Sequence, residues 1–468
     1  MRSRQSIAKT KLRNFICASF ALWIALGSAN LVSAAERPLT PEQIAYYQSG
    51  NEDARFRVLV EMAHTAHVEA AQALLIKFPL QGPLAKNRTL FLEGLIFEKH
   101  GRLNEAATKF RAALANDPHL TLVRVELAKT LADLDENDSA KHHLQLLEAE
   151  TQDPQQLASI RSFIDSLDAR HPFTFSGFIS IAPSTNINQG TSNSTVYSPG
   201  IAGLDGVGAV GTIAPSSQAM SGLGITSGIN VGFNKRISDD WQAVLAAGLT
   251  GTYYPALNSV SLGASQSAEM RYLIKDGYLG FGGVSSENAD PVNLMLGYTS
   301  YGPRLSMAKL LTPRDQLTAD ATYEWRNYYS SPITNGNALT VNGVLTHALD
   351  STSNLALLLG YENVTQQLTY NSYQDVSVGL GAYKELSHGI TLQGQGTVRL
   401  AAFDDVNPFT LSTRQDQYLV GSITLTKRDW NIFGFAPSLN YTYTQNFSNI
   451  ELYDFNSHAV DFRLTKNF

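Results

Sequence analysis

The chain is 468 residues long, 43% hydrophobic and 10% aromatic, yet only 16% charged, well below the roughly 25% of an ordinary soluble domain. A net charge of -6 with no basic block beyond the N-terminal segment implies neither nucleic acid nor a strongly anionic surface as a partner. The single cysteine, Cys17, lies in mid-leader, which leaves the remainder without disulfides or thiol catalysis and removes a lipobox.

Arg2, Arg4, Lys9, Lys11 and Arg13 precede the apolar run Phe15 to Leu31, which ends in Val32-Ser33-Ala34-Ala35. Basic residues, an apolar stretch and a small-residue site predict a cleaved secretory signal over residues 1–35. No second long apolar stretch follows, so no transmembrane helix is expected.

Residues 36–171 carry helical spacing with a repeat of about 34 residues, the tetratricopeptide period. Leu90, Gly94 and Phe97 mark the first helix of the clearest repeat, and Ala106, Phe110, Ala113 and Pro118 the second, with Gly101 between them. Ala128, Leu131, Ala140 and Leu144 follow one period later, and a degenerate repeat spans Phe56 to Phe78. Small residues let paired helices approach while the bulky ones fill the gaps, and the concave face of such an array normally binds peptides.

From residue 172 to 468 the period changes to 2. Leu317, Ala319, Ala321, Tyr323 and Trp325 alternate with Thr318, Asp320, Thr322, Glu324 and Arg326. Ile390, Leu392, Val398, Leu400 and Ala402 do so with Thr391, Gln393, Gln395, Thr397 and Arg399. One face suits lipid and the other water, so the charges Asp320, Glu324, Arg326, Arg399, Asp461 and Arg463 are expected in a polar lumen. Tight turns are expected at Ser238-Asp240, Glu287-Asp290, Thr312-Asp315, Leu349-Thr352, Ser387-Gly389 and Lys427-Trp430, and longer loops at Asn188-Ser217, Asp404-Thr413 and Gln445-Asp454. These breaks divide the region into about 14 strands, an even number that leaves both barrel ends on the periplasmic side. Aromatics at Tyr253-Tyr254, Tyr328-Tyr329, Tyr441, Tyr443 and Trp430 read as interfacial girdles. Val460, Phe462, Leu464 and Phe468 share one face of the last strand and read as a barrel assembly signal. The fold class is therefore α plus membrane β: a tetratricopeptide-like helical unit followed by a transmembrane barrel of antiparallel strands.

Motifs with chemistry are few. Gly206-Val207-Gly208-Ala209-Val210-Gly211 matches a dinucleotide fingerprint but lacks its strand and helix. Asp133, Asp135 and Asn137 lack the glycine and glutamate of a calcium loop, and His142-His143 lacks metal spacing. No nucleophile elbow or triad is visible, so no enzymatic activity, metal or cofactor is expected.

At the junction the chain reads FTFSGFISIAPSTNINQG, with Asn186, Ile187 and Asn188 where the first strand leaves the membrane. This A-P-x-x-N-I-N segment, with tetratricopeptide repeats before it and a phenylalanine-terminated barrel after it, resembles the surface lipoprotein assembly modulator (Slam) family. The resemblance implies an outer-membrane translocator of type XI secretion that carries lipoproteins or soluble haem-binding proteins to the cell surface. The partners it implies are an exported client with a small β-barrel domain, periplasmic chaperones, the barrel assembly machinery and outer-membrane lipid. Asn186 to Asn188 would contact the client or order the loop through an Asx-type turn. An exopolysaccharide export porin and a passive diffusion porin are the alternatives. The first normally has a longer helical array, and the second leaves the helices unexplained.

Overall fold

The computed structural model describes residues 47 and 50–465, apart from 66, 135, 152, 171, 200–208, 291–294, 313, 330–331, 351, 429 and 431–434. The expected signal segment and Phe468 lie outside the described residues. Among them no helix is long and apolar enough to cross a membrane, which leaves spanning to strands.

Among the described residues seven helices come first: α1 (Glu52–His64), α2 (Val68–Lys77), α3 (Ala85–Lys99), α4 (Leu103–Asn116), α5 (Thr121–Asp133), α6 (Asn137–Glu150) and α7 (Pro154–Arg170). The Asn51 side chain caps α1 by accepting the Ala54 N–H at 2.9 Å, satisfying one of the helix's free donors. Gly101, at φ +70°, ends α3 in the left-handed conformation. The helices pack as pairs because small residues face large ones. A Cβ on Gly94 would lie 2.3 Å from the ring of Phe110, so only glycine lets α3 and α4 close on that ring. Ala106, Phe110, Ala113, Ala128, Leu131, Ala140 and Leu144 are buried, while Leu90 and Phe97 pack half-buried on the same core. Pro118 stands between α4 and α5.

The strands follow: β1 (Phe173–Ser184), β2 (Thr195–Ser198), β3 (Ala209–Thr212), β4 (Gly222–Arg236), β5 (Trp241–Tyr254), β6 (Ser259–Ile274), β7 (Gly277–Asp290), β8 (Met295–Thr312), β9 (Asp315–Tyr328), β10 (Gly336–Asp350), β11 (Ser353–Gln366), β12 (Tyr373–Leu386), β13 (Ile390–Asn407), β14 (Ser412–Lys427), β15 (Ala436–Ser448) and β16 (Phe455–Thr465). β1 and β4 to β16 form a closed barrel of 14 antiparallel strands, and β2 pairs with β3 in the loop after β1. Closure leaves no free edge, the condition for backbone to sit in hydrocarbon. Ile179, Leu249, Leu305, Leu380, Ile423 and Phe462 stand exposed on the outer wall, the apolar belt of an outer-membrane β-barrel.

The helices join β1 at the barrel end that carries the tight turns. At the three-residue β12–β13 turn, Ser387 to Gly389, His388 and Gly389 both have φ near +60°, the left-handed conformation such tight turns use. Glu287-Asp290 is no tight turn: these residues close strand β7 at the opposite end, and the connection is Lys275-Asp276, with Asp276 at φ 61°. Gly277 follows as the first residue of β7, paired with Ile274, so Lys275 and Asp276 alone make the turn. β13 continues through Asn407, shortening the expected loop at Asp404. Tyr441 and Tyr443 sit mid-strand in β15 rather than at a strand tip. Gly211 of the glycine-rich segment lies in β3, paired with Val196.

Candidate functional site

Two features of the barrel rim stand out, one at each end. At the helix-bearing end, the inward side chain of Glu385 on β12 is 2% exposed and lies against Arg124 of α5, 1% exposed. Arg124 Nη2 donates to Glu385 Oε2 at 2.8 Å and to the Pro118 carbonyl at 2.7 Å. On the other carboxylate oxygen, Arg428 donates at 2.6 Å and Tyr383 at 3.2 Å, and His142 Nε2 lies 3.5 Å away. His143 Nδ1 lies 3.3 Å from Arg124 Nη1. A guanidinium can only donate, so that nitrogen accepts. Burial first, then the charge of Arg124, pushes the His143 pKa well below its ordinary value, so the ring is neutral. Two smaller contacts flank this cluster. Arg161 of α7 bridges Glu148 and Asp276 of the β6–β7 turn, and the His388 N–H donates to the Ala115 carbonyl at the end of α4. The helical unit is thus seated on the barrel rim through one carboxylate held between two guanidiniums.

At the opposite end, the chain leaving β1 is tied down by two amides. Asn186 Nδ2 donates to the Gly190 carbonyl at 2.8 Å and the Asn456 carbonyl at 3.0 Å, while its Oδ1 accepts the Gly190 N–H at 3.0 Å. Asn188 Nδ2 donates to the Gln218 and Ser216 carbonyls at 2.8 and 3.1 Å, and its Oδ1 accepts the Met220 N–H at 3.0 Å. Both donors of each amide are used. Ile187 bonds through its own N–H to the Met220 carbonyl at 2.8 Å, and its side chain fills the space beside Gly222. This segment organises the loop through both donors of each amide.

Between the two ends the inner wall is polar. Glu324 accepts from Ser300 at 2.7 Å, and Arg326 lies 3.0 Å from Glu362 and 3.4 Å from Glu324. Arg399 lies 3.7 Å from Asp375, and Arg463 2.6 Å from Asp461. Asp320 shares the inward face of β9, beside Ser306 and Asn342 in register. Acid and base alternate, so the wall is wet without a field of one sign. Among the described residues no cluster of His, Cys, Asp or Glu could hold a metal.

Residues 175–468 match the family model described as surface lipoprotein assembly modifier. The chain belongs to the surface lipoprotein assembly modifier family. A second model, for the tetratricopeptide repeat, matches residues 99–162. The chain is 22% identical over 461 residues to a surface lipoprotein assembly modifier of Pasteurella multocida, spanning 93% of this chain and 86% of that one. A hemophilin secretion modulator of Acinetobacter baumannii is 22% identical over 409 residues, 81% of this chain and 79% of that one. The A-P-x-x-N-I-N segment lies at the first-strand exit, whereas no local pattern marks the pair Arg124 and Glu385. The pair is 261 residues apart in sequence. The one trace of it is a charged residue, Glu385, at the end of an otherwise regular strand.

Proposed function

We propose that this outer-membrane protein assists the export of lipoprotein or soluble, haem-binding-type client proteins to the cell surface, with its helical unit in the periplasm. The observation that carries the reading is the family match across the whole barrel, joined to a repeat unit seated on one rim. The relatives are named for surface lipoprotein assembly and hemophilin secretion, and both descriptions fit one task, moving a protein outward. The repeat unit gathers the client from periplasmic chaperones beneath the barrel, where tethering raises its effective concentration. The periplasm supplies no ATP to this chain, so direction comes from binding and from client folding outside.

The test is deletion of the gene followed by protease shaving of intact cells. One or more proteins should still be made and exported to the periplasm but lose exposure to added protease, and a plasmid copy should restore them. An unchanged shaved set together with arrested polysaccharide export would replace this reading with that of a polymer porin.

A further inference from the structure

The helical unit touches the barrel at points spread round the ring. Among the described residues, α7 packs against β4, and its Arg161 pairs with Asp276 of the β6–β7 turn. On the far side α6 packs against β10, and the Ala115 carbonyl at the end of α4 accepts the His388 N–H of the β12–β13 turn. β4 and β10 stand six places apart in a ring of fourteen, and so do the two turns, where directly opposite would be seven. A unit held at nearly opposite points of a rim must cross the opening between them. Its size agrees. Fourteen strands about 4.8 Å apart and tilted about 40° make a ring roughly 28 Å across. A packed helix occupies about 10 Å, and α4 to α7 each pack on the next, which is enough to bridge that width.

The crossing helices also reach into the mouth. Tyr383 and Glu385 share the inward face of β12, where a wet lumen would surround them. Instead Glu385 is buried against Arg124, and the Tyr383 ring lies edge-on to His142 of α6, centroids 6.2 Å apart. The gap left among Arg111, His142, His143, Glu385 and Arg428 measures about 50 Å³, room for a few waters. What holds the unit there is polar. Its buried apolar core contains no barrel residue among those described, and its ties to the rim are ion pairs and hydrogen bonds. A polar interface lets two units move as rigid bodies, whereas a large shared apolar core would weld them.

We propose that the helical unit is a gate: seated, it shuts this mouth of the barrel, and the polar lumen conducts ions and small solutes only when Arg124 and Arg161 release the rim. The wall carries acid and base in alternation, as Glu324, Arg326 and Glu362 show, so the lumen holds water along its length. A ring of this width left uncovered would leak. The seat prevents that through two carboxylates, Glu385 and Asp276, which lie on well-separated strands and are gripped by different helices. The gate goes beyond the export reading, because it concerns the barrel when nothing is passing.

The test is the conductance of the purified full-length protein across planar lipid bilayers in potassium chloride. The unaltered protein should stay mostly closed. Glu385→Ala with Asp276→Ala removes both carboxylates that the helices grip, and mean conductance should rise about tenfold or more, as expected of a water-filled lumen of this width. Adding Arg124→Met removes the cation left without Glu385 and should lower conductance again, whereas a barrel merely damaged by the first two changes would stay leaky. Asp239→Ala takes an exposed carboxylate from the β4–β5 turn of the same rim and should leave the closed level unchanged. The shift on unheated gels shows that each barrel is folded. An unaltered protein that already conducts as freely as the double variant would overturn the proposal. A folded double variant no more conductive than the unaltered protein would do so too, as would equal opening by Asp239→Ala. No client enters these measurements, so each of those failures leaves the export reading intact.

Discussion

At the scale of single residues, Glu98 on α3 is a carboxyl whose environment works against its charge. Burial, then the neighbouring Glu126, pushes its pKa up to about 7, with Lys129 and Lys99 opposing and Asp133 adding to the rise. Its Oε2 is buried without a hydrogen-bond partner. In the unfolded chain the group ionises from about pH 4.5 upward, in the folded one only near 7. Between those values the unfolded state releases its proton while the folded state keeps it, so the helical unit loses stability as pH rises through that window. Glu98→Gln should therefore leave the helical melting transition nearly unchanged at pH 4 and stabilise it at pH 8, by on the order of 2 kcal/mol. Thermal melts of the full protein followed at 222 nm would check this, and an equal gain at both pH values would contradict it. The same scale shows what was legible residue by residue. Gly94 and Phe110 stand on the two helices of one repeat as a small and a large residue, and that size pattern is local enough to read. Asn186 and Asn188 could be placed at the strand exit, but client contact and loop ordering stayed open, because an amide's partners lie on other strands. The structure fills both amides with backbone partners from their own loop and from Asn456.

At the scale of elements, alternation was readable because a bilayer imposes it on every strand: the outward face must be apolar along its whole length. Turns were less so. Glu287-Asn288-Ala289-Asp290 has turn-forming composition but remains paired in β7, since strand pairing overrides weak local preference. The seat of the helices on the rim was not legible, for Arg124 and Glu385 each look solvated in their own segment and only the fold brings them together. That seat is open to test. Glu385→Ala strands the buried guanidinium of Arg124 beside Arg428 with no counter-charge, a loss of about 3–5 kcal/mol for a broken buried pair. The helical unit should then detach from the rim, and trypsin cleavage between α7 and β1 should accelerate more than tenfold. Adding Arg124→Met to that variant removes the orphaned cation and should recover much of the protection. Unchanged cleavage in the single variant would mean that the Arg161 and His388 contacts suffice.

At the scale of the whole molecule, the two units obey different physics. Among the described residues the helices bury a core against one another and meet the barrel at its rim, whereas the strands satisfy their backbone by closing into a ring. The dependence should accordingly run one way. A protein lacking residues 41–170, with residues 1–40 and the barrel retained, should still assemble in the outer membrane and show the gel shift of a folded barrel when unheated. The Glu385 and Arg428 pair would remain at the rim, 2.6 Å apart, so the turn keeps its own counter-charge and loses only Arg124. On the proposed export reading, exposure of client proteins on intact cells should nonetheless fall about tenfold or more, because a helical unit that gathers them beside the barrel would be gone and effective concentrations set by a short linkage lie far above those of free diffusion. Comparing heat-modifiability with protease shaving in the same strain separates the two effects. Loss of the gel shift would show that the helices are needed for closure, and retained shift with undiminished exposure would confine client recognition to the barrel.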